Sequence, residues 1–281
     1  MFRLGTDFQA GRRGDTYDAR TGQWWLWAVL FFVLQFFVYA LAQDLVARGI
    51  FFLMNSCWPG SPITDPLTRA QLAKAAILGF LPAGAIAAMF SWWCAGRANS
   101  TGDYGIPLRW PKMGSGGWAL TVGGVIVFLY LTYIVVFFIL GIDPETYAPT
   151  AGGVNDPNSM SGMVEKTMAD LANEPLLFAI ALPGVIFGAP LAEEFIFRGA
   201  LFSALRNSWF GKTGAVVLSS ALWASIHSFA APWLFVFVIF IMGLVLGVLL
   251  LRFGSLWVTI IVHSAWNAFT TLGIFGTIGG S

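Results

Sequence analysis

Charge is what this sequence has least of. Only 10% of its 281 residues are Asp, Glu, Lys or Arg, against about a quarter in a soluble domain. The formal net charge is +1 and no run of Lys or Arg occurs, which gives no electrostatic footprint for nucleic acid. Cysteine is scarce as well. Cys57 and Cys94 are the only two, one expected in a loop and the other near the end of a span, so both read as incidental and no disulfide framework is expected. No internal repeat is visible. The ~10-residue alternating segments of a membrane β-barrel are missing too. The first residues, MFRLGTDFQAGRRGDTYDAR, are polar and Gly/Arg-rich and lack the pattern of a cleavable signal.

What remains is apolar. Hydrophobic residues make up 57% of the chain, aromatic residues 16%, and the mean hydropathy is +0.75. Long apolar runs alternate with short polar segments, so the reading is an all-α, polytopic helical membrane protein. A crossing needs ~20 apolar residues. The runs predict seven spans, at about 24–42, 75–95, 118–140, 176–205, 214–230, 233–251 and 256–274. The fourth is too long for one simple crossing. Pro183 and Pro190 are expected to kink it or divide it, which would make eight. Ala231-Pro232 reads as a tight turn. The organisation predicted is a polar tail at 1–23, N-terminal spans and a long loop over 24–174, and a C-terminal region at 175–281.

Basic residues suggest the orientation. Alternate loops and the tail hold Arg3, Arg12, Arg13, Arg20, Arg97, Arg109, Lys112, Arg206, Lys212 and Arg252, ten in all; the other side holds Arg48, Arg69, Lys74 and Lys166. The bias predicts a multi-pass protein of the cell membrane with its N-terminus cytoplasmic. The loop at 141–174 carries six acids and one Lys. Residues 159–172 within it are expected to form a short surface helix, either a lid over an entry path or a merely solvated segment.

Against this background a few polar residues stand out. PLAEEFIFRG (190–199) places Glu193, Glu194 and Arg198 in an apolar run. The only two histidines, His227 and His263, also fall inside predicted spans, as does Asn267. A charge at the bilayer centre costs at least ~2.5–3.5 kcal/mol, so such groups turn inward and are usually functional. Counted from the cytoplasmic ends at ~1.5 Å per residue, Glu193 and His227 lie ~20 Å deep and His263 ~16 Å deep. One shared intramembrane site is the simplest arrangement. Glu194 and Arg198 are spaced i, i+4 and can pair on one face, a structural role first of all. Glu193 then points about 100° away and is left unpaired. His263 and Asn267 are also i, i+4 and can be aimed together. Each has a plainer reading, since His and Asn in a span often only join helices by hydrogen bonds.

The pattern Glu-Glu-x-x-x-Arg, then Trp-x-x-x-His in WASIH (Trp223, His227), then His-x-x-x-Asn in HSAWN (His263, Asn267) resembles the CPBP family. These are the CAAX-protease and bacteriocin-processing intramembrane proteases, also called Abi. The resemblance covers about residues 175–270, and the approach GLVLGVLLLRFGSLWVTIIVHSAWN (243–267) is similar too. Trp223 departs from the Phe common in the second motif. The resemblance implies that Glu193 is the general base activating water, with His227 orienting or deprotonating it. It implies that His263 and Asn267 form the oxyanion hole while Glu194 and Arg198 brace the helix. Glu193, His227 and His263 are also candidate zinc ligands with an open water position. No His-Glu-x-x-His helix is present, the usual zinc carrier, so the reading prefers a glutamate-activated water without obligatory metal. The substrate implied is a membrane-associated peptide or protein, prenylated or a leader peptide, met in the lipid bilayer. Two alternatives stay open: a transporter that relays protons through buried Glu and His, and a non-catalytic immunity or scaffold protein.

Overall fold

The computed structural model describes residues 24–57, 69–98, 106–141, 173–206, 209–228 and 233–278, with Thr167, Asp170 and Leu171. The expected tail at 1–23, the turn at Ala231-Pro232 and most of the expected helix at 159–172 lie outside the described residues. The described elements are all helical. We number them α1 (Trp24–Cys57), α2 (Arg69–Leu78), α3 (Phe80–Ala98), α4 (Ser115–Leu140), α5 (the run of segments from Pro175 to Arg206), α6 (Gly211–His227), α7 (Trp233–Phe253) and α8 (Leu256–Ile278).

Four helices among the described residues are long and apolar enough to cross a membrane: Phe32–Leu53, Ser115–Leu140, Pro175–Leu201 and Trp233–Phe253. Phe80–Trp93 is apolar but shorter. The count of seven, or eight, is therefore not reached by this measure. The helix that holds the first expected span, 24–42, is longer than that, running from Trp24 to Cys57. Asp44 and Arg48 lie one turn apart and pair at 2.8 Å. Two charges that neutralise each other let the helix run on past Ala42. Cys57, expected in a loop, is the last residue of that helix.

The expected span at 75–95 is interrupted at one residue. It begins at Arg69, and α2 meets α3 at Gly79. The break has a local cause: Pro82 has no N–H to bond the Leu78 carbonyl and its ring crowds that group. Helical bonds on either side, Gly79 N to Ala75 O at 2.9 Å and Ala83 N to Gly79 O at 3.0 Å, keep the two pieces in line.

Helix α5 positions the site, and its prolines neither end it nor divide it. Pro175–Pro183 is α-helical, Gly184–Gly188 is a π turn, Ala189–Glu193 is α-helical, and Glu194–Leu201 is a second π stretch that leads into Phe202–Arg206. Each proline is followed by bonds of i to i+5 length, such as Ala189 N to Gly184 O and Phe202 N to Phe197 O. A widened turn takes up the ladder bonds a proline removes, at the cost of regular register.

Small residues bring α5 close to its neighbour. A Cβ on Gly188 would come within 2.5 Å of Leu81 Cα and Phe80 O, and one on Gly84 would overlap the Gly188 carbonyl. Gly243 of α7 packs the same way on Ser220 of α6. Between helices in lipid, close backbone approach of this kind supplies the dispersion contact that holds a bundle. Phe32 of α1 meets Phe197 of α5 edge to face at 5.2 Å. Near the other end of α5, Lys74 pairs with Glu174, and buried Leu171 joins Ile77, Leu78, Leu177 and Ala181 in one cluster.

The start of α8 is fixed by a strap before α4. Gly254 adopts a left-handed φ of 59° that ends α7, a conformation glycine takes without Cβ strain. Leu256 N then donates to Pro107 O at 2.8 Å, and the Trp257 indole donates to Leu108 O at 2.9 Å. Ile106 lies 3.4 Å from where a Cβ on Gly199 would stand. This sets the depth at which His263 enters the bundle.

Candidate active site

Three helices bring Glu193, His227 and His263 to one place. Glu193 closes the α-helical segment between the two π stretches of α5. His227 is the last residue of α6, at a helix end rather than within a long span. His263 sits two turns into α8. The Glu193 Oε2 atom lies 4.0 Å from Nε2 of His227 and 4.0 Å from Nε2 of His263. These are too long for direct hydrogen bonds and are the separations that one intervening small group spans.

The other nitrogen of each imidazole is committed. His227 Nδ1 lies 2.8 Å from the Trp223 carbonyl one turn back. A carbonyl only accepts, so Nδ1 carries the proton. His263 Nδ1 lies 3.0 Å from Glu194 Oε1, and a carboxylate likewise accepts from N–H. In the neutral form both rings then present an Nε2 lone pair towards Glu193. Three acceptors face one small volume, which suits a species that brings hydrogens or positive charge.

Glu193 is not unpaired, as the sequence spacing suggests. The Trp223 indole donates to its Oε2 at 2.6 Å. The sequence pattern marks Trp223 only as a departure from Phe in the second motif, although Trp-x-x-x-His puts both side chains on one helical face. Tyr39 of α1 packs in the same buried cluster as Ala192 and Trp223.

Glu194 and Arg198 form the expected ion pair, at 3.3 Å between Nη1 and Oε1 with both side chains fully buried. Their role is wider than bracing. The same Oε1 holds His263, and the Arg198 guanidinium lies 4.3 Å from the centre of the Trp223 ring. Arg198 and His263 thus share one carboxylate oxygen, and the Glu194–His263 contact joins residues 69 positions apart, which no spacing rule reveals.

Asn267, one turn beyond His263 on α8, has a partner on α5. Its Nδ2 donates to the Val185 carbonyl at 2.9 Å, an acceptor in the first π turn of α5. An amide has two N–H bonds, and this contact uses one.

The donor set bears on metal binding. Among the described residues no group of three or more His, Cys, Asp and Glu side chains is arranged to hold a metal ion. Ligands ~2.1 Å from a tetrahedral zinc stand roughly 3.4 Å apart. The 4.0 Å separations here are wider than that.

Comparison with known proteins gives one match. A family model described as type II CAAX prenyl endopeptidase Rce1-like covers residues 175–269, about a third of the chain and all of the residues above except Tyr39. No curated protein and no solved structure matches. The match supports a CAAX/CPBP-family intramembrane protease, and with it intramembrane endopeptidase activity in general.

Proposed function

We propose that this CAAX/CPBP-family region, residues 175–281, hydrolyses a peptide bond of a membrane-associated substrate with a water activated by Glu193. The observation that carries the proposal is the single carboxylate oxygen placed 4.0 Å from two imidazole nitrogens. A water that donates ~2.8 Å bonds to two acceptors holds them about 4.4 Å apart, close to the separation of Glu193 Oε2 and His227 Nε2. One such water is oriented with its oxygen lone pair outward, towards a scissile carbonyl.

The steps follow from the side chains. Glu193 takes a proton from the water as its oxygen attacks the carbonyl carbon. Electrons move to the carbonyl oxygen, which becomes an oxyanion. His263, held by Glu194 at Nδ1, faces the site with Nε2, and in its protonated form donates to that oxyanion. Asn267 adds its second N–H. Preorganised donors of this kind are worth ~3–4 kcal/mol each in a dry site. Glu193 then passes its proton to the leaving amine nitrogen, the C–N bond breaks, and the new carboxylic acid gives its own proton to the amine, so that a carboxylate and an ammonium leave and Glu193 is again ionised.

The substrate class we propose is a prenylated or leader peptide that reaches the site from the bilayer. The protein sits in the cell membrane with its N-terminus cytoplasmic, on the support of the ten-to-four bias of basic residues.

The deciding experiment has two arms in proteoliposomes, with a synthetic farnesylated CAAX peptide and with membranes profiled by comparative proteomics. Wild-type protein is expected to produce cleaved termini that Glu193→Gln protein does not. Metal content by mass spectrometry runs alongside. About one zinc per chain, lost in His263→Ala, would replace the mechanism while leaving the protease reading in place.

A further inference from the structure

Trp223 touches Glu193, Arg198, His227 and His263 together. Its indole N–H donates to Glu193 at 2.6 Å. The Arg198 guanidinium sits over its ring, 4.3 Å from the centroid. The His227 and His263 rings stand edge-on to it, each at 5.2 Å with interplanar angles of 76° and 77°. The side chain is 2% exposed.

An indole nitrogen is a donor only, and a buried one needs an acceptor. Here the acceptor is Oε2 of Glu193, the same oxygen that faces both Nε2 atoms. A glutamate side chain left to itself rotates about three bonds. Pinned at this oxygen, it presents one face to the two imidazoles. The face of the ring meanwhile holds the cation. Positive charge over the π face draws electron density from the ring and strengthens the N–H as a donor. The ring also stands against Arg198, a cation whose Nε and Nη atoms make no hydrogen bond and which would otherwise compete for the Glu193 carboxylate.

We infer that Trp223 is a positioning residue for Glu193. Its N–H holds the carboxylate in the orientation used for water activation, and its ring keeps Arg198 with Glu194. The inference rests on the reading of Glu193 as the base.

Two replacements separate the N–H from the ring. Trp223→Phe keeps an aromatic ring and loses the donor. Benzothienylalanine at position 223 keeps the full indole shape with sulfur in place of N–H. With the farnesylated CAAX peptide in proteoliposomes, both are expected to lower kcat by about 10–100-fold, as loss of an orienting partner does, with KM unchanged. Wild-type kcat in the benzothienylalanine protein would overturn the proposal, because only the N–H has been removed.

A second readout needs no turnover. In protein labelled with ¹⁵N-tryptophan, the Trp223 indole resonance is the one missing from Trp223→Phe. It is expected to be strongly deshielded and to move upfield in Glu193→Ala. An ordinary position that ignores Glu193→Ala would overturn the proposal. The two readings fail separately: an active Glu193→Gln protein removes the base, whereas an inactive Glu193→Gln protein together with an indole resonance that ignores Glu193→Ala removes only the role of Trp223.

Discussion

Glu193 and Glu194 are adjacent in sequence and live in different surroundings. Glu194 is fully buried, paired with Arg198 and bonded to His263. Glu193 is 16% exposed and is met by an indole N–H and by two imidazole lone-pair positions. A charge that is fully enclosed and compensated belongs to the architecture; one that is partly open and faces acceptors is available to a small reactant. Neighbouring residues on a helix point about 100° apart, which is enough to put one carboxylate in each setting.

Four substitutions bear on that contrast. The largest effect is expected from Glu193→Gln, which keeps an acceptor for Trp223 and removes the base. Peptide cleavage should fall by about 10²–10⁴-fold with the melting temperature nearly unchanged. Retention of a tenth of wild-type turnover, read by mass spectrometry of the product, would break the contrast on the Glu193 side.

Arg198→Ala should do the reverse. It leaves Glu194 buried beside His263 with no cation, and breaking a buried pair costs ~3–5 kcal/mol. Folded yield and thermal stability in detergent should drop along with activity. Normal melting with activity lost would make Arg198 a participant in chemistry instead of a support.

Asn267→Ala is expected to reduce kcat by about 10²-fold with KM little changed, since an oxyanion donor acts in the transition state. A rise in KM alone would assign Asn267 to its bond with Val185, that is, to holding α8 against α5.

The smallest effect concerns the helix that carries both glutamates. Gly188→Ala puts a methyl group against backbone atoms of Phe80 and Leu81 that cannot turn aside, and overpacking of this kind costs ~1–3 kcal/mol. Gly124→Ala on α4 meets nothing within 4 Å and serves as the comparison. Equal melting temperatures for the two variants would mean that the α3–α5 approach relaxes freely.

Much of this site was legible beforehand. Depth counting brought Glu193, His227 and His263 to one level, and i, i+4 spacing found the Glu194–Arg198 pair. The bonds that give each group its orientation were not. Glu194 to His263 and Asn267 to Val185 join residues far apart in sequence, where only packing decides the partner. The helix limits failed for local reasons. The Asp44–Arg48 pair extends α1 past a boundary that hydropathy alone would draw, and Pro82 interrupts at Gly79 a helix that reads as one span. The prolines of α5 signal disruption, and whether a helix breaks, kinks or widens there depends on neighbours such as Gly84 and Leu81.

The widened turn at Gly184–Gly188 changes the phase of everything that follows it. Along an unbroken α-helix the eight steps from Val185 to Glu193 amount to about 800°, leaving them roughly 80° out of alignment. A π turn behaves as an α turn with one residue inserted. Seven effective steps then remain, and the mismatch shrinks to roughly 20°. Val185 and Glu193 come to lie along one line of α5, and the two residues of α8 that meet that line, Asn267 and His263, are themselves one turn apart. A wheel drawn at constant pitch would separate the two contacts, whereas the inserted residue lets a straight α8 engage both.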